Sequence, residues 1–512
     1  MLKRAIHFLR NYGWRQSVLL ALDRYFPVNP LARRKVSVGS CTDILFSVAD
    51  TMRDAVDPVS QAMVDAQGEW MICGDGEGVK FLPGALQSIA VFLQKHPECA
   101  VCYFDSAQTA ADGSICHYEF RPEFSLEYLR SFDYSGKVIA VRREFAGKNP
   151  GASALEILLD AYEHGAEIRR LPQILYTRSG EVKADFSVEA EIVARHLTRC
   201  GGGTVTLCEN GTRKIERTLC GDPKVSILIP SHDNMAVLKR CVDSIVQIVE
   251  YDNFEIVIVE NGSTQKGLFD YYRMLAEDER IKVVIYPEKE AFNYSRVNNF
   301  GVTHCSGEYI LFLNNDTEVI TPDFIGRMLE FAQLPDVGVT GAKLCYFNGT
   351  LQHAGVIIGM GSIAAHHSVG TGAKESGYLN TLCCSREFSA VTFACAMVRK
   401  SDFQSVGGLD EVLGIAYNDI DFCLRMRAEG KRVIFTPHAE LFHHESLSRG
   451  LDDSPEKAAR IAREAAFFEA RHAGILADGD PYFNPGLSLN STAFIPRGRL
   501  GRLKLLQRRN KS

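Results

Sequence analysis

No run of apolar residues in the chain approaches the roughly 18 needed to cross a bilayer as a helix. No secretory leader is legible either. The opening MLKRAIHFLRNYGWRQ breaks its apolar stretch at Arg10 and Arg15. A disulfide framework is missing: the 15 cysteines are odd in number and scattered over 512 residues, a pattern of reduced thiols serving as small core residues. The single CxxC, Cys99 to Cys102, lies in an apolar, strand-like run with no second pair, which favours a buried strand over zinc. There is no surplus of basic charge: 57 Lys and Arg stand against 63 Asp and Glu, a net charge of -6. That excludes a nucleic-acid binder built on basic patches. Neither a Walker A loop nor a GxGxxG follows any strand, which disfavours P-loop and dinucleotide folds. Together these absences predict a cytoplasmic protein in which Asn293-Tyr294-Ser295 carries no glycosylation meaning.

What is present is ordinary globular material, 46% hydrophobic and 23% charged, and the length argues for two or three domains. Residues 1–35 read as a basic amphipathic helix stopped at Pro27 and Pro30. Residues 36–200 mix strand-like and helix-like runs. Residues 201–223, rich in glycine, read as a linker. Residues 224–475 form the sharpest segment, and 476–512 a tail whose last 17 positions hold seven Lys or Arg and no acid. Within the sharp segment, Val225–Ile229, Phe254–Val259, Ile281–Tyr286 and Tyr309–Leu313 are short buried-strand runs separated by helical patterns. That alternation predicts an α/β fold with a largely parallel sheet. Ligands of such sheets gather beyond the carboxyl ends of the strands. Those ends carry Ser231-His232-Asp233, Glu260-Asn261-Gly262-Ser263 and Asn314-Asn315-Asp316.

The chain also repeats itself. Gly68-Glu69-Trp70 through Pro83 aligns without a gap on Gly307-Glu308-Tyr309 through Pro322, and Gly165 to Pro172 aligns on Gly430 to Pro437. The first copy has only positions 36 to 68 where the second has 222 to 307, too few for a strand-helix-strand-helix half. In this alignment Asp316 faces Glu77, Asp419 faces Ala154 and Asp421 faces Glu156.

Several residues could carry chemistry. Asp316, just past the strand YILFL, is placed to meet a hard divalent cation, although Asn and Asp also favour plain turns. His443 and His444 follow a strand-like run and could ligate a metal opposite Asp316, while His366-His367 reads as loop. Asp419 and Asp421 open a helical run. Asp421 suits a helix start through capping and dipole effects alone, and Asp419 could act as a general base.

The ordered series VSILIPSHDN, EIVIVENGS, FNYSRVNNFG, GEYILFLNNDTEV, LQHAGV, VTFACAMV, GGLDE, YNDIDFCLR and LFHHESLSRG resembles the family 2 glycosyltransferases of the GT-A fold over residues 222 to 450. It is most similar to the two-domain, rhamnosyltransferase-like members tied to bacterial surface polysaccharides. The resemblance implies a GT-A fold with a mixed, mostly parallel central sheet: a truncated, degenerate N-terminal copy and a complete C-terminal one. It implies inverting transfer from a nucleoside-diphosphate sugar to a glycan or lipid-linked glycan, with a divalent metal, Mg or Mn. Pro230, His232, Glu260, Asn261, Asn298, Asn314, Asn315 and Asp316 would then serve the donor. Asp316 and His443 would hold the metal, Asn314 replacing the usual first acid. Asp419 would be the base, Asp421 would orient acceptor or base, and His444, Ser446 and Arg449 would face acceptor or diphosphate. A non-catalytic scaffold built from two such domains is the alternative, and the basic ends suggest peripheral contact with an anionic membrane surface.

Overall fold

The computed structural model describes residues 46–48, 68–146, 152–180, 185–288, 292–444 and 455–497. The basic N-terminal helix, Ser446, Arg449 and the end of the basic tail lie outside these residues. The chain divides into two compact units: one takes residues up to Ile215 together with those from Pro481 onward, and the other runs Glu216–Asp480.

The first unit contains β1 (Phe46–Val48), β2 (Trp70–Gly74), β3 (Val79–Phe81), α1 (Ala85–Lys95), β4 (Cys99–Thr109) and β5 (Ile115–Glu119). It continues through β6 (Val138–Arg142), α2 (Ala154–Glu163), β7 (Glu167–Ser179) and α3 (Phe186–Arg199). Its sheet runs β1-β2-β6-β4-β7-β3, with β5 beside β4. Cys99 and Cys102 are buried in β4, as expected for a core strand, and every cysteine among the described residues is free. The segment read as a linker carries a hairpin of β8 (Thr204–Leu207) and β9 (Arg213–Glu216). Arg213 of that hairpin is fully buried and donates to Glu189 and to two carbonyls. Part of the expected tail also belongs to this unit. The Asn484 amide donates to both Asp105 oxygens, at 2.9 and 3.0 Å, and to the Arg121 carbonyl at 2.8 Å. Burial still raises the Asp105 pKa to about 6, against the pull of Arg170.

The second unit opens with β10 (Val225–Ser231), α4 (Met235–Ile248), β11 (Phe254–Glu260), α5 (Leu268–Leu275), β12 (Ile281–Ile285) and α6 (Tyr294–His304). It goes on with β13 (Tyr309–Leu313), β14 (Thr317–Val319), α7 (Phe324–Ala332), β15 (Val337–Cys345), β16 (Leu351–His353), β17 (Val356–Ile358) and β18 (Ala364–His366). Last come β19 (Arg386–Glu387), β20 (Cys395–Arg399), α8 (Asn418–Ala428), β21 (Arg432–His443), α9 (Pro455–Arg471) and α10 (Ala473–Asp478). The final helix pair breaks at His472, so Gly474 lies inside a second helix and does not end the first. All seven residues of β10 are buried, the continuous apolar pattern of a strand covered on both faces. β12, β11, β10 and β13 pair in parallel, and β20, β15, β21 and β14 extend the sheet with mixed pairing.

The repeat is visible in topology as well as in sequence. The first sheet's order β1-β2-β6-β4-β7-β3 matches β10-β13-β20-β15-β21-β14 in the second, with the same parallel or antiparallel sense at each pair. Among the described residues the first sheet has no counterpart of β11 and β12. One detail differs from the gapless alignment. Val79 pairs with Arg178, and Thr317 pairs with His443. With β7 aligned on β21, the strand after the Asp316 turn is therefore displaced by one residue relative to its copy.

Close packing of α6 on the sheet depends on Gly301. A Cβ there would come within 2.5 Å of the Leu228 Cδ1 and 2.8 Å of the Val259 Cγ2. Gly301→Ala gains about 1 kcal/mol of helix propensity, yet overpacking against two core strands costs about 1–3 kcal/mol. The variant is expected to be less stable, with a lower urea midpoint than the wild type.

Candidate active site

The carboxyl ends of β10, β11 and β13 bring their polar turns to one rim of the sheet. At the first, Asp233 and Asn234 adopt left-handed backbone, φ 48 and 53. The Asp233 carboxylate accepts the amides of Gln265 and Thr264 at 2.7 and 2.6 Å, and those backbone donors, Gln265 first, lower its pKa. His232 is exposed, with Nδ1 2.8 Å from the Asn261 carbonyl oxygen. Pro230 is buried within β10, paired with Val259.

Two residues expected to face the donor are turned inward. Glu260 is buried. Its carboxylate accepts from the Ser263 amide, from the Ser263 hydroxyl at 2.7 Å and from the Tyr272 hydroxyl at 2.6 Å. Both oxygens are thus engaged in holding the turn, which leaves Asn261, His232 and Asp233 as the polar groups nearer the surface. Asn298 is fully buried in α6, its Nδ2 donating to the Tyr294 carbonyl at 2.8 Å.

At the end of β13, Asn315 and Asp316 are buried and Asn314 is partly so. β14 pairs with β21 so that Thr317 faces His443. This register sets the Asp316 Oδ1 3.2 Å from the His443 Nε2, with the Asn314 Nδ2 3.4 Å from the same nitrogen. An oxygen and a nitrogen bound side by side to an octahedral divalent ion, with bonds of about 2.1 Å, lie about 3 Å apart. The pair therefore fits such an ion as two of its ligands. The His443 Nδ1 is buried without a hydrogen-bond partner among the described residues. His444 points elsewhere. Its ring lies 4.2 Å from Phe347 and its Nε2 3.5 Å from Glu318, and burial lowers its pKa.

Asp419 sits in the first turn of α8, half-buried. Its Oδ2 accepts the Phe393 amide at 3.3 Å and its Oδ1 the Ile420 amide at 2.8 Å. The turn before the helix is bound by α9: Glu464 accepts the amides of Ile415 and Ala416 at 3.1 and 2.7 Å. Asp421, expected to orient acceptor or base, is fully buried. Its carboxylate accepts from Arg425 Nε at 2.8 Å and Arg471 at 3.1 Å, and lies 2.8 Å from His472 Nε2. Burial alone would raise its pKa, but the bonds to His472, Arg425 and Arg471 hold it below the ordinary value of 3.8.

Sequence reasoning missed a cluster of histidines. His366 and His367, read as loop, end a β17–β18 hairpin. His367 is fully buried, its Nε2 2.5 Å from the Ala354 carbonyl oxygen, and burial pushes its pKa down to about 3. His353, also fully buried, lies 2.9 Å from His366 between their Nδ1 atoms. The signal was the polar pair Gln352-His353 shortly before the apolar run Val356–Ile358.

In the first copy the matching place is filled by an ion cluster. By register, Arg178 stands where His443 does, and Glu119 where His353 does. Arg178 lies 4.0 Å from Glu119, which also accepts from Arg121 at 2.7 Å. Burial would raise the Glu119 pKa, yet Arg121, Ser106 and Arg178 bring it down to about 2.

Because the Asp421 pKa falls on folding, its contribution to stability is complete above about pH 4 and is lost as pH drops through the folded value. Asp421→Asn is expected to cost about 2 kcal/mol at pH 7. The gap from wild type should narrow toward pH 3, read from melting curves at the two pH values.

Residues 226–407 match the family model "Glycosyl transferase family 2". The chain is 34% identical over 436 residues to the uncharacterized protein y4gI of Sinorhizobium fredii, covering 81% of this chain and 48% of that protein. It is 32% identical over 430 residues to the O-antigen biosynthesis protein RfbC of Myxococcus xanthus, covering 80% of this chain and 33% of that protein. The chain thus spans half or less of the length of these two relatives. A mannosyltransferase from Pyrobaculum calidifontis, solved with GDP-Man and Mn2+, superposes over 57% of this chain and 77% of that one at 15% identity and a TM-score of 0.38, a likeness too low to add weight. On the family match, residues 226–407 of this chain form a family 2 glycosyltransferase domain.

Proposed function

We propose that the second unit catalyses inverting transfer of a sugar from a nucleoside-diphosphate sugar to a hydroxyl of a growing surface glycan, with Asp419 as the base. The observation that carries this reading is the placement of Asp419. Its carboxylate is half-buried, held by two backbone amides, and reached from the Asp316–His443 pair through one short segment. The Asn314 backbone amide donates to the Ala394 carbonyl at 3.0 Å, and the backbone amide of the neighbouring Phe393 donates to Asp419.

Asp419 takes the proton of the acceptor hydroxyl as that oxygen attacks the anomeric carbon from the face opposite the diphosphate. Such a base needs no unusual pKa, since the attacking hydroxyl becomes acidic as its new bond forms. His232, Asn261 and Asp233 offer polar contacts to the nucleoside, and buried Glu260 keeps their turn in shape. A divalent ion on Asp316 and His443, when bound, supplies positive charge for the leaving diphosphate. The RfbC relationship supports a glycan or lipid-linked glycan as acceptor. The first copy, with an Arg–Glu cluster in place of the histidines and Ala154 opposite Asp419, is read as non-catalytic.

Two measurements test the reading. Titration calorimetry of UDP, dTDP and GDP with and without manganese should show metal-dependent binding of one nucleotide, lost in Asp316→Ala. No binding to the folded wild type would return the second unit to a scaffold role. Asp419→Asn should keep donor binding while transfer falls at least about 10²-fold, the usual scale for removing a general base. Undiminished turnover in that variant would reject Asp419 as the base.

A further inference from the structure

The start of the helix that carries Asp419 is held from another helix. The N-cap residue of α8, Tyr417, is left-handed at φ 63 and gives the first turn no side-chain bond. That conformation is costly for a bulky residue and persists only where its surroundings enforce it. The enforcement comes from α9. Glu464 is buried, and its Oε2 accepts the two amides just before Tyr417, Ile415 at 3.1 Å and Ala416 at 2.7 Å. Its Oε1 lies 3.8 Å from the Arg460 Nε of the same helix. Phe468, one turn further along and fully buried, packs its ring 5.2 Å from that of Tyr417. Two hydrogen bonds to a buried carboxylate outweigh the strain of one left-handed residue. A second hold lies beyond the base. Arg471 and His472, at the end of α9, reach the Asp421 carboxylate at 3.1 and 2.8 Å. The chain is thus fixed from α9 on both sides of Asp419.

The position of the base depends on that start. Its carboxylate is aimed by two amides from two elements: Ile420 of α8 to Oδ1 at 2.8 Å, and Phe393, entering β20, to Oδ2 at 3.3 Å. Both bonds form together only while α8 begins at its present place against β20. The first copy uses its corresponding helix differently. α3 follows β7 as α9 follows β21, but its buried carboxylate, Glu189, binds Lys137 and Arg213. The helix α2 is capped by its own Ser153. We infer that Glu464 is a positioning residue for Asp419. Through the amides of Ile415 and Ala416 it holds Tyr417 left-handed, and so keeps the base where it meets the acceptor hydroxyl. Glu464 touches no substrate and takes no proton. The inference rests on the glycosyltransferase reading and deepens it.

The test uses the full-length chain and a panel of UDP-, GDP- and dTDP-hexoses with alkyl glycosides as acceptors, followed by released nucleoside diphosphate well below the Tm. Glu464→Ala is expected to lower kcat at least about tenfold, since a displacement of about 1 Å in a reacting group costs up to about 10²-fold. The KM for the donor and the Kd for the nucleotide should stay at the wild-type values. Glu464→Gln keeps a carbonyl oxygen for the two amides and should recover most of the loss. In the Asp419→Asn background Glu464→Ala should cost nothing further, because residues that act through one group are not additive. A folded Glu464→Ala with wild-type kcat overturns the proposal, and so does an undiminished loss in the Asp419→Asn background. A folded wild type that turns over no member of the panel overturns the glycosyltransferase reading itself, and the proposal with it.

A second readout needs neither turnover nor a folded variant. In hydrogen exchange resolved to single residues, the Ile415 and Ala416 amides of the wild type should be protected, as bonded amides are. Exchange of both at the rate of free loop amides would refute the hold from α9, whatever the enzyme's activity.

Discussion

The backbone of Thr392, Phe393 and Ala394, entering β20, is the element on which the site depends. Its three peptides bind almost everything that the proposed chemistry uses. The Thr392 amide goes to His353, the Phe393 amide to Asp419, and the Ala394 carbonyl takes the Asn314 amide. The Phe393 carbonyl accepts from the Tyr294 hydroxyl at 3.2 Å, which fixes the start of α6. Main-chain groups of a buried segment have little freedom, and satisfying them is close to obligatory. Using them as the common reference fixes the base, the histidine pair and the Asp316 turn relative to one another with few side-chain torsions. β20 is itself held between β13 and β15, so that reference is part of the sheet.

The two copies show what changes when such a site is absent. Strand order and pairing sense are shared, but the first copy begins α2 in the ordinary way. Its Ser153 hydroxyl accepts the Glu156 amide, a side-chain cap. In the second copy α8 starts after Tyr417, which is left-handed at φ 63 and supplies no side-chain cap. Asp419 then occupies the first turn, where the unsatisfied amides of the helix favour a carboxylate. Where the second copy keeps neutral buried histidines, the first closes the same place with Arg178, Glu119 and Arg121. An ion cluster of that kind satisfies its own charges and leaves little for a ligand.

How much of this was legible in the sequence follows from which interactions are local. Strands with continuous apolar runs, and the polar residues at their ends, could be read directly because a few adjacent residues determine them. The repeat was legible for the same reason. The inward turn of Glu260 was not, since it depends on Tyr272 one helix away. Nor was the clamp from α9, where Glu464 and His472 come back from more than 40 positions downstream to bind the turn before α8 and Asp421 within it. The pairing of His353 with His366 was not legible either, since it depends on the β17–β18 hairpin bringing together residues 13 positions apart. The return of residues 481–497 to the first unit rests on Asn484 meeting Asp105, 379 positions apart, and nothing in the tail's composition announces it.

Backbone strain falls where this division of labour predicts. Among the described residues, eight other than glycine have positive φ, and seven of them lie in the second unit: Asp233, Asn234, Ser362, Ser368, Leu379, Asn380 and Tyr417. The first unit has only Phe494, from its returning C-terminal segment. Left-handed backbone costs a residue other than glycine about 1–3 kcal/mol, less for Asn and Asp, and persists when its surroundings enforce it. Asp233 is enforced by the amides of Thr264 and Gln265, and Tyr417 by Glu464 on the two preceding amides together with the ring of Phe468, 5.2 Å away. The two copies share a sheet plan and therefore much the same folding problem, so the plan alone does not call for these conformations. Three of the seven, Asp233, Asn234 and Tyr417, lie at the end of β10 and at the start of α8, beside residues proposed to bind the donor and to take the proton. The cost is carried by the copy with an intact constellation of polar groups, which is the distribution expected if the strained turns serve the site and not the fold.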